Sequence, residues 1–363
     1  MNEQRLTAYA QLIQQLLECS EDRKADLLQN HQDLIDKEFI AFMQQYAQYL
    51  AEAGNKNNAR RLLNTAQQLT QWLNQSPKSV SEESYITLLQ QLLQAESEVS
   101  AGKANKSIVY QILDNNRHLL NENLAHILPQ YASDLITNNS PETTDTTVAL
   151  IENLSFHIWQ FPRGNRKAQI EIAIAGYLFT LSHHEENTKD WAKTQNSLGA
   201  AYRQRIKGNT AENIESAIAY YQAALRVRTE SDYPEDWAET QNHLGIAYYS
   251  RIKGNTADNI ETAIAYYQAA LRVRTESDYP EDWAETQNHL GIAYYSRIKG
   301  KKADNIETAI AYYQAALRVR TESDYPEDWA ETQNHLGIAY YSRIKGKKAD
   351  NIESAIAPTT KLL

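Results

Sequence analysis

Residues 237–282 read WAETQNHLGIAYYSRIKGNTADNIETAIAYYQAALRVRTESDYPED. Residues 283–328 repeat that block with two changes only, Asn255 and Thr256 becoming Lys301 and Lys302. A further copy opens at Trp329 and follows its predecessor through Ala357, apart from Thr308 becoming Ser354. An earlier and more diverged copy opens at Trp191 and keeps Thr194-Gln195-Asn196, Leu198-Gly199, Tyr202 and the Arg205-Ile206-Lys207-Gly208 run. Trp191, Trp237, Trp283 and Trp329 are therefore each 46 residues apart. Self-similarity at a fixed period marks an array in which each unit buries its apolar face against the next.

Within one copy the pattern is two helices. Pro234 suits a first helical position, and Glu235, Asp236 and Glu239 place negative charge at the positive end of the helix dipole. Trp237, Leu244, Tyr248 and Ile252 recur at roughly helical spacing and predict one apolar stripe. Gly254 is expected to supply a left-handed stop, and Asp258 with Glu261 a capping box for the second helix. That helix carries Ile260, Ala263, Ile264, Tyr267, Ala270 and Leu271 on one face and is expected to end near Arg274. No strand pattern intervenes, so the unit is an αα-hairpin and the fold class is all-α, a solenoid of helical hairpins. Composition agrees: twelve glycines, eight prolines and seven valines in 363 residues are too few for a β-rich fold.

The spacing Leu244-Gly245-x-x-Tyr248, Ala263-x-x-x-Tyr267, Ala270 resembles the tetratricopeptide repeat, in which small residues let two helices approach. The family's period is about 34 residues. The longer period here adds residues between the helices and between the hairpins, and Gln241 fills the family's tryptophan position with Trp237 one turn earlier. The phrase Tyr279-Pro280-Glu281-Asp282-Trp283-Ala284-Glu285-Thr286-Gln287-Asn288 is similar to the long repeats of cyanobacterial proteins that pair such arrays with a CHAT domain, a caspase-like protease module. The resemblance implies a TPR-like superhelix with a partner in its concave groove.

Residues 1–139 are expected to form an N-terminal helical region of degenerate hairpins, and residues 140–363 the repeat array. Ala47, Gly54, Ala59 and Ala66 are spaced as in one degenerate tetratricopeptide unit. Ser76-Pro77 marks a boundary, helices follow near 82–99, 104–119 and 122–137, and Asn138-Asn139-Ser140-Pro141 is the linker candidate. At the other end Pro358 stands where Tyr312 would recur, which predicts a last helix of roughly two turns and a half-covered face over Trp329, Leu336 and Tyr340. Self-association through that open end is one expectation.

The chain offers little for catalysis. No two glycines are five residues apart, so phosphate-loop spacing is absent. Cys19, the only cysteine, lies in a helix with apolar neighbours and allows neither an internal disulfide nor a thiolate metal cluster. His243, His289 and His335 occupy one position in three hairpins, but stacked helices about 10 Å apart cannot bring them to one ion, whose ligand bonds are near 2 Å. No cofactor, no metal and no enzymatic activity are expected. No stretch approaches the roughly 18 apolar residues of a membrane span, and with no secretory pattern at the start a cytoplasmic protein is expected. A net charge of −10 makes nucleic acid an unlikely ligand in bulk.

What remains is a protein or peptide partner, and a separate CHAT-type protease is the partner class that the resemblance suggests. Carried over from the family, the first helix of each hairpin lines the groove. Its outward positions are Asn196 and Gln204 in the first copy, then Glu239, Asn242, His243, Ile246 and Tyr249. Their copies are Glu285, Asn288, His289, Ile292 and Tyr295, followed by Asn334, His335 and Tyr341. One asparagine per layer suits the backbone of an extended ligand. A second candidate is the edge between the two helices of each hairpin. It carries Arg251 and Lys253, then Arg297, Lys299, Lys301 and Lys302, then Arg343, Lys345, Lys347 and Lys348, and would dock an anionic ligand or nucleic acid.

Overall fold

In a computed structural model of the chain, residues 3–19, 23–24, 27–28, 31, 34–75, 81–137 and 140–359 are described, and all regular elements among them are helical. The chain divides into two compact units, Met1–Ser84 and Tyr85–Leu363.

In the first unit, α1 (Glu3–Glu18), α2 (Lys37–Glu52) and α3 (Lys56–Gln75) enclose Tyr9, Leu12, Phe39, Met43, Ala47, Leu62 and Ala66. Asp36 organises the junction of α1 and α2. Its Oδ1 accepts the Phe39 N–H at 2.7 Å as an N-cap, and its Oδ2 accepts from Arg5 at 2.7 Å and from the Tyr9 hydroxyl at 2.8 Å. α2 and α3 form the hairpin that the alanine spacing predicts, turned at Gly54 with φ +86°. Cys19 lies just past α1 and is partly buried.

The second unit holds all but the first residues of α4 (Glu82–Ser100), then α5 (Ser107–Asn115), a short 3-10 turn and α6 (Glu122–Thr137), followed by α7 (Pro141–Gln160) and α8 (Arg166–Leu181). α4–α6 belong to the same compact unit as the hairpin array. Glu96 of α4 accepts from His157 Nδ1 of α7 at 2.6 Å, and α6 lies along α8. Ser76-Pro77 and Asn138-Asn139 fall outside the described residues.

Four hairpins follow: α9 (Lys189–Arg203) with α10 (Thr210–Ala224), α11 (Pro234–Tyr249) with α12 (Thr256–Ala270), α13 (Pro280–Ser296) with α14 (Lys302–Ala316), and α15 (Pro326–Tyr341) with α16 (Lys348–Thr359). Proline opens α11, α13 and α15, as its missing N–H allows. Each apolar cluster spans two hairpins: Ile260, Ala263, Ile264 and Tyr267 of α12 pack on Leu290 and Ala293 of α13. The same arrangement recurs one layer earlier and one layer later. The first helices of successive hairpins also touch one another directly and together present one continuous face, called the inner face below.

Four local expectations are corrected. Ile252 is not part of the apolar stripe: α11 ends at Tyr249, and Ile252 is 63% exposed in the loop that follows. Gly254, at φ +83°, does not end α11; it turns the chain into α12, whose cap is Asn255 and not Asp258. Asn255 Oδ1 accepts the Asp258 N–H at 3.2 Å. The buried Asn259 then closes the loop by donating to the carbonyls of Arg251 and Lys253 at 3.3 and 2.9 Å. Finally, α16 runs to Thr359, one residue past Pro358, because a proline in the last turn removes a single hydrogen bond. Trp329 and Leu336 are buried and Tyr340 is half-buried; Leu336 is covered by Ile306, Ile310 and Tyr313 of the preceding hairpin.

The repeats contain their own capping experiment. Lys301 occupies the cap position with backbone angles of −86° and 125°, against −87° and 123° at Asn255, but forms no side-chain cap. Lys301→Asn is therefore expected to stabilise the third hairpin by about 1 kcal/mol, seen as slower amide exchange in α14 relative to α12.

Candidate partner-binding face

The inner face is held in register by polar contacts from one first helix to the next. Asn196 Nδ2 donates to Glu239 Oε2 at 3.2 Å, and Asn242 Nδ2 donates to Glu285 Oε2 at the same distance. An arginine from the preceding loop completes each layer. Arg228 Nη1 donates to Glu239 Oε2 at 2.9 Å and to the Thr240 hydroxyl at 3.0 Å, and Arg274 repeats this on Glu285 and Thr286 at 3.2 Å each. Both arginines are buried, and their position was not recognisable from sequence because they fall in the loop beyond the helix pattern. Burial raises the Glu239 pKa, and the charge of His243 when protonated, followed by Arg228, outweighs it and holds the carboxyl below its usual range.

The histidines sit above these asparagines. His243, His289 and His335 place Nδ1 at 3.4, 3.2 and 3.4 Å from Oδ1 of Asn196, Asn242 and Asn288. Because the first two of these asparagines donate to glutamate through their amide nitrogen, the oxygen faces the imidazole, so Nδ1 carries the proton and Nε2 is left as an acceptor. Each ring lies on a tyrosine of the preceding second helix, with Tyr221–His243, Tyr267–His289 and Tyr313–His335 centroids 5.3, 5.4 and 5.6 Å apart. Burial lowers the His243 pKa to about 4; at His289 burial, together with Arg320, Arg203 and Arg274, lowers it to about 3.

These shifts have a definite pH consequence. An unfolded histidine titrates near 6.5, so between that pH and about 4 the unfolded chain binds more protons than the folded one. Stability should fall as pH drops through this window and level off below the folded pKa values. Melting curves of the His243→Gln, His289→Gln, His335→Gln variant between pH 7 and 4 should show a shallower fall than the unsubstituted chain.

The predicted groove positions thus separate into two groups. Asn196, Asn242 and Asn288 are 6%, 1% and 2% exposed and bond to the neighbouring layer, whereas Asn334 in the last hairpin is exposed. Gln204 accepts from Arg166 at 2.6 Å at the edge of the array. The remaining positions keep accessible surface: Glu239 and Glu285 show 43% and 41% of their side chains, Ile246, Ile292, Tyr249 and Tyr295 are half-buried, and Tyr341 is exposed. Tyr249 and Tyr295 are tied to Ser296 and Ser342 at 2.8 and 2.9 Å, which fixes their rings. At the opposite, N-terminal ends of α11 and α13 opens a cavity of about 200 Å³ lined by Glu235, Asp236, Glu239, Arg274 and Asp282, and it recurs one layer on. The face can accept cations at its carboxylates, accept hydrogen bonds at histidine Nε2 and offer apolar contact at isoleucine and tyrosine.

The basic edge is largely neutralised from within. Arg251, Arg297 and Arg343 make two-pronged contacts to Glu215, Glu261 and Glu307 of the preceding hairpin, at 2.7–2.9 Å. Lys253, Lys299 and Lys345 pair with Glu212, Asp258 and Asp304. Lys302 reaches the Tyr295 carbonyl and lies 4.8 Å from that ring's centroid. Among the described residues Lys301, Lys347 and Lys348 form no ion pair within 4.0 Å. The sequence could show the row of cations but not the carboxylates 36 and 41 residues earlier that meet them.

Among the described residues no group of three or more His, Cys, Asp or Glu is placed to hold a metal ion, and no helix is long and apolar enough to cross a membrane. The sequence matches no protein-family profile, and no curated protein matches it. Among solved structures the chain is similar to BtubC (BKLC) from P. vanneervenii, with 16% identity over 76% of this chain and 89% of that one and a TM-score of 0.39. It is also similar to a circular tandem repeat protein of novel repeat topology, with 10% identity over 99% of this chain and 95% of that one and a TM-score of 0.22. The chain is an all-α protein built as a solenoid of αα-hairpins.

Proposed function

We propose that this chain is a non-catalytic, tetratricopeptide-type interaction scaffold whose inner face holds an extended segment of a protein partner. One observation carries the reading: the same accessible set of glutamate, neutral histidine, isoleucine and tyrosine recurs in register on successive first helices, fixed by layer-to-layer hydrogen bonds. A surface fixed in this way loses little entropy on binding. The carboxylates and the acidic cavities favour a segment carrying Lys or Arg among apolar residues. A CHAT-type protease encoded separately is the partner class suggested by the repeat resemblance.

Asn242→Ala would cut the contact between two layers, so weaker binding would not distinguish ligand contact from loosening of the stack. Ile338→Lys with Tyr341→Ser alters side chains that are 44% and 74% exposed and belong to no apolar cluster. A peptide array probed with the full chain should select basic, apolar segments, and the double variant should lose them by about tenfold or more with its helical signal intact. Equal binding by the variant would remove the inner face as the site.

A further inference from the structure

Successive hairpins hold one another through a fixed set of contacts. Leu290 and Ala293 of α13 pack on Ile260, Ala263 and Ile264 of α12. Glu285 of α13 accepts from Asn242 at 3.2 Å, and the Ser296 hydroxyl meets that of Tyr249 at 2.8 Å. The loop after α13 adds two ion pairs to α12, Arg297 with Glu261 at 2.7 Å and Lys299 with Asp258 at 2.6 Å. α15 and its loop repeat the apolar packing, the tyrosine–serine contact and both ion pairs on the hairpin before them. The hairpin α15–α16 presents the same receptors uncovered. Asn334 and Tyr341 are exposed where Asn242 is buried and Tyr249 half-buried, and Ile352 and Ala355 are half-buried where Ile306 and Ala309 are fully buried. Asp350 and Glu353, the copies of Asp258 and Glu261, are exposed and among the described residues form no ion pair within 4.0 Å.

We propose that this face of α15–α16 docks a helix of another protein that carries the pattern of residues 280–299. The pattern is a glutamate for Asn334, a leucine and an alanine three positions on for Ile352 and Ala355, a serine for Tyr341, then an arginine and a lysine for Glu353 and Asp350. The covered interfaces of the array supply the occupant, because the same receptor face takes the same kind of helix at each of them. They also set its direction: the acidic start lies toward Asn334 and the basic end toward the two carboxylates, as Arg251 and Lys253, and again Arg297 and Lys299, lie on the hairpin before them. A second folded copy of this chain has no such helix to offer, since α9, α11, α13 and α15 are each already seated on the second helix before them. The site stands apart from the reading of the inner face, because Asp350 and Glu353 belong to α16.

The experiment uses the full chain and a fluorescein-labelled peptide with the sequence of residues 280–299. Anisotropy titration should show saturable binding. Glu353→Arg in the chain sets like charges against each other and should weaken binding by about tenfold or more, with an unchanged circular dichroism spectrum. A peptide carrying Arg297→Glu should reverse the order and bind the Glu353→Arg chain more tightly than the unsubstituted one. Absence of saturable binding, equal affinity of the Glu353→Arg chain, or no reversal with the exchanged peptide would overturn the proposal. So would a dimer in sedimentation that Glu353→Arg disrupts and the peptide does not, since a second copy of this chain would then cover the face.

Discussion

Leu290→Ala is expected to destabilise the array by about 2–5 kcal/mol, with the loss concentrated in the second and third of the four hairpins. Leu290 is fully buried at the meeting of α12 and α13, against Ile260, Ile264 and Tyr267. Truncation leaves a cavity that the surrounding backbone cannot close, because Tyr267 is itself wedged against Gly245 on its other side. Each apolar cluster is shared only between adjacent layers, so the defect should stay local. Hydrogen exchange should show α12 and α13 opening first and α1–α3 unchanged; uniform loss of protection across the chain would contradict a nearest-neighbour array.

The adjacent residue gives a sharper test, because two rules disagree on its sign. Gly291 lies inside α13, where helix propensity alone makes alanine better than glycine by about 1 kcal/mol. A Cβ at that position would stand 2.4 Å from Cε1 and 2.6 Å from Cδ1 of Tyr313. The ring cannot retreat, since it is packed by Ile310, Leu336 and Ala339 and covered by His335. Steric overlap should win, and Gly291→Ala is expected to lose about 1–3 kcal/mol net. The double variant Gly291→Ala, Tyr313→Leu should recover part of that loss in a thermodynamic cycle. A stabilised Gly291→Ala single variant would mean that the hairpins are less closely packed than the structure has them.

Much of this was legible beforehand. The period of the tryptophans, the proline at each helix start and the alternation of two helical patterns determined an array of αα-hairpins, because those features depend on residues close together in the chain. The small residues at Gly245 and Ala263 also pointed to close helix approach, although only the structure names the ring that needs the space: Tyr267 of the hairpin's own second helix. Local chemistry misled at Asp258, where an acceptable capping pair concealed the real cap at Asn255 three residues earlier, and at Ile252, where helical spacing ran on past the end of the helix.

The fate of the polar residues depended on tertiary structure alone. Asn242 and His243 are neighbours in sequence and equally polar, but Asn242 is buried by the contact to Glu285, 43 residues away, while His243 keeps a free acceptor toward the inner face. Arg251 looked like an available cation until Glu215 met it from the preceding hairpin. The physical reason is the same in each case. Hydrophobic periodicity shows which side of a helix is covered, whereas a hydrogen bond requires a partner within about 3 Å, and for Asn242 and Arg251 that partner comes from another layer.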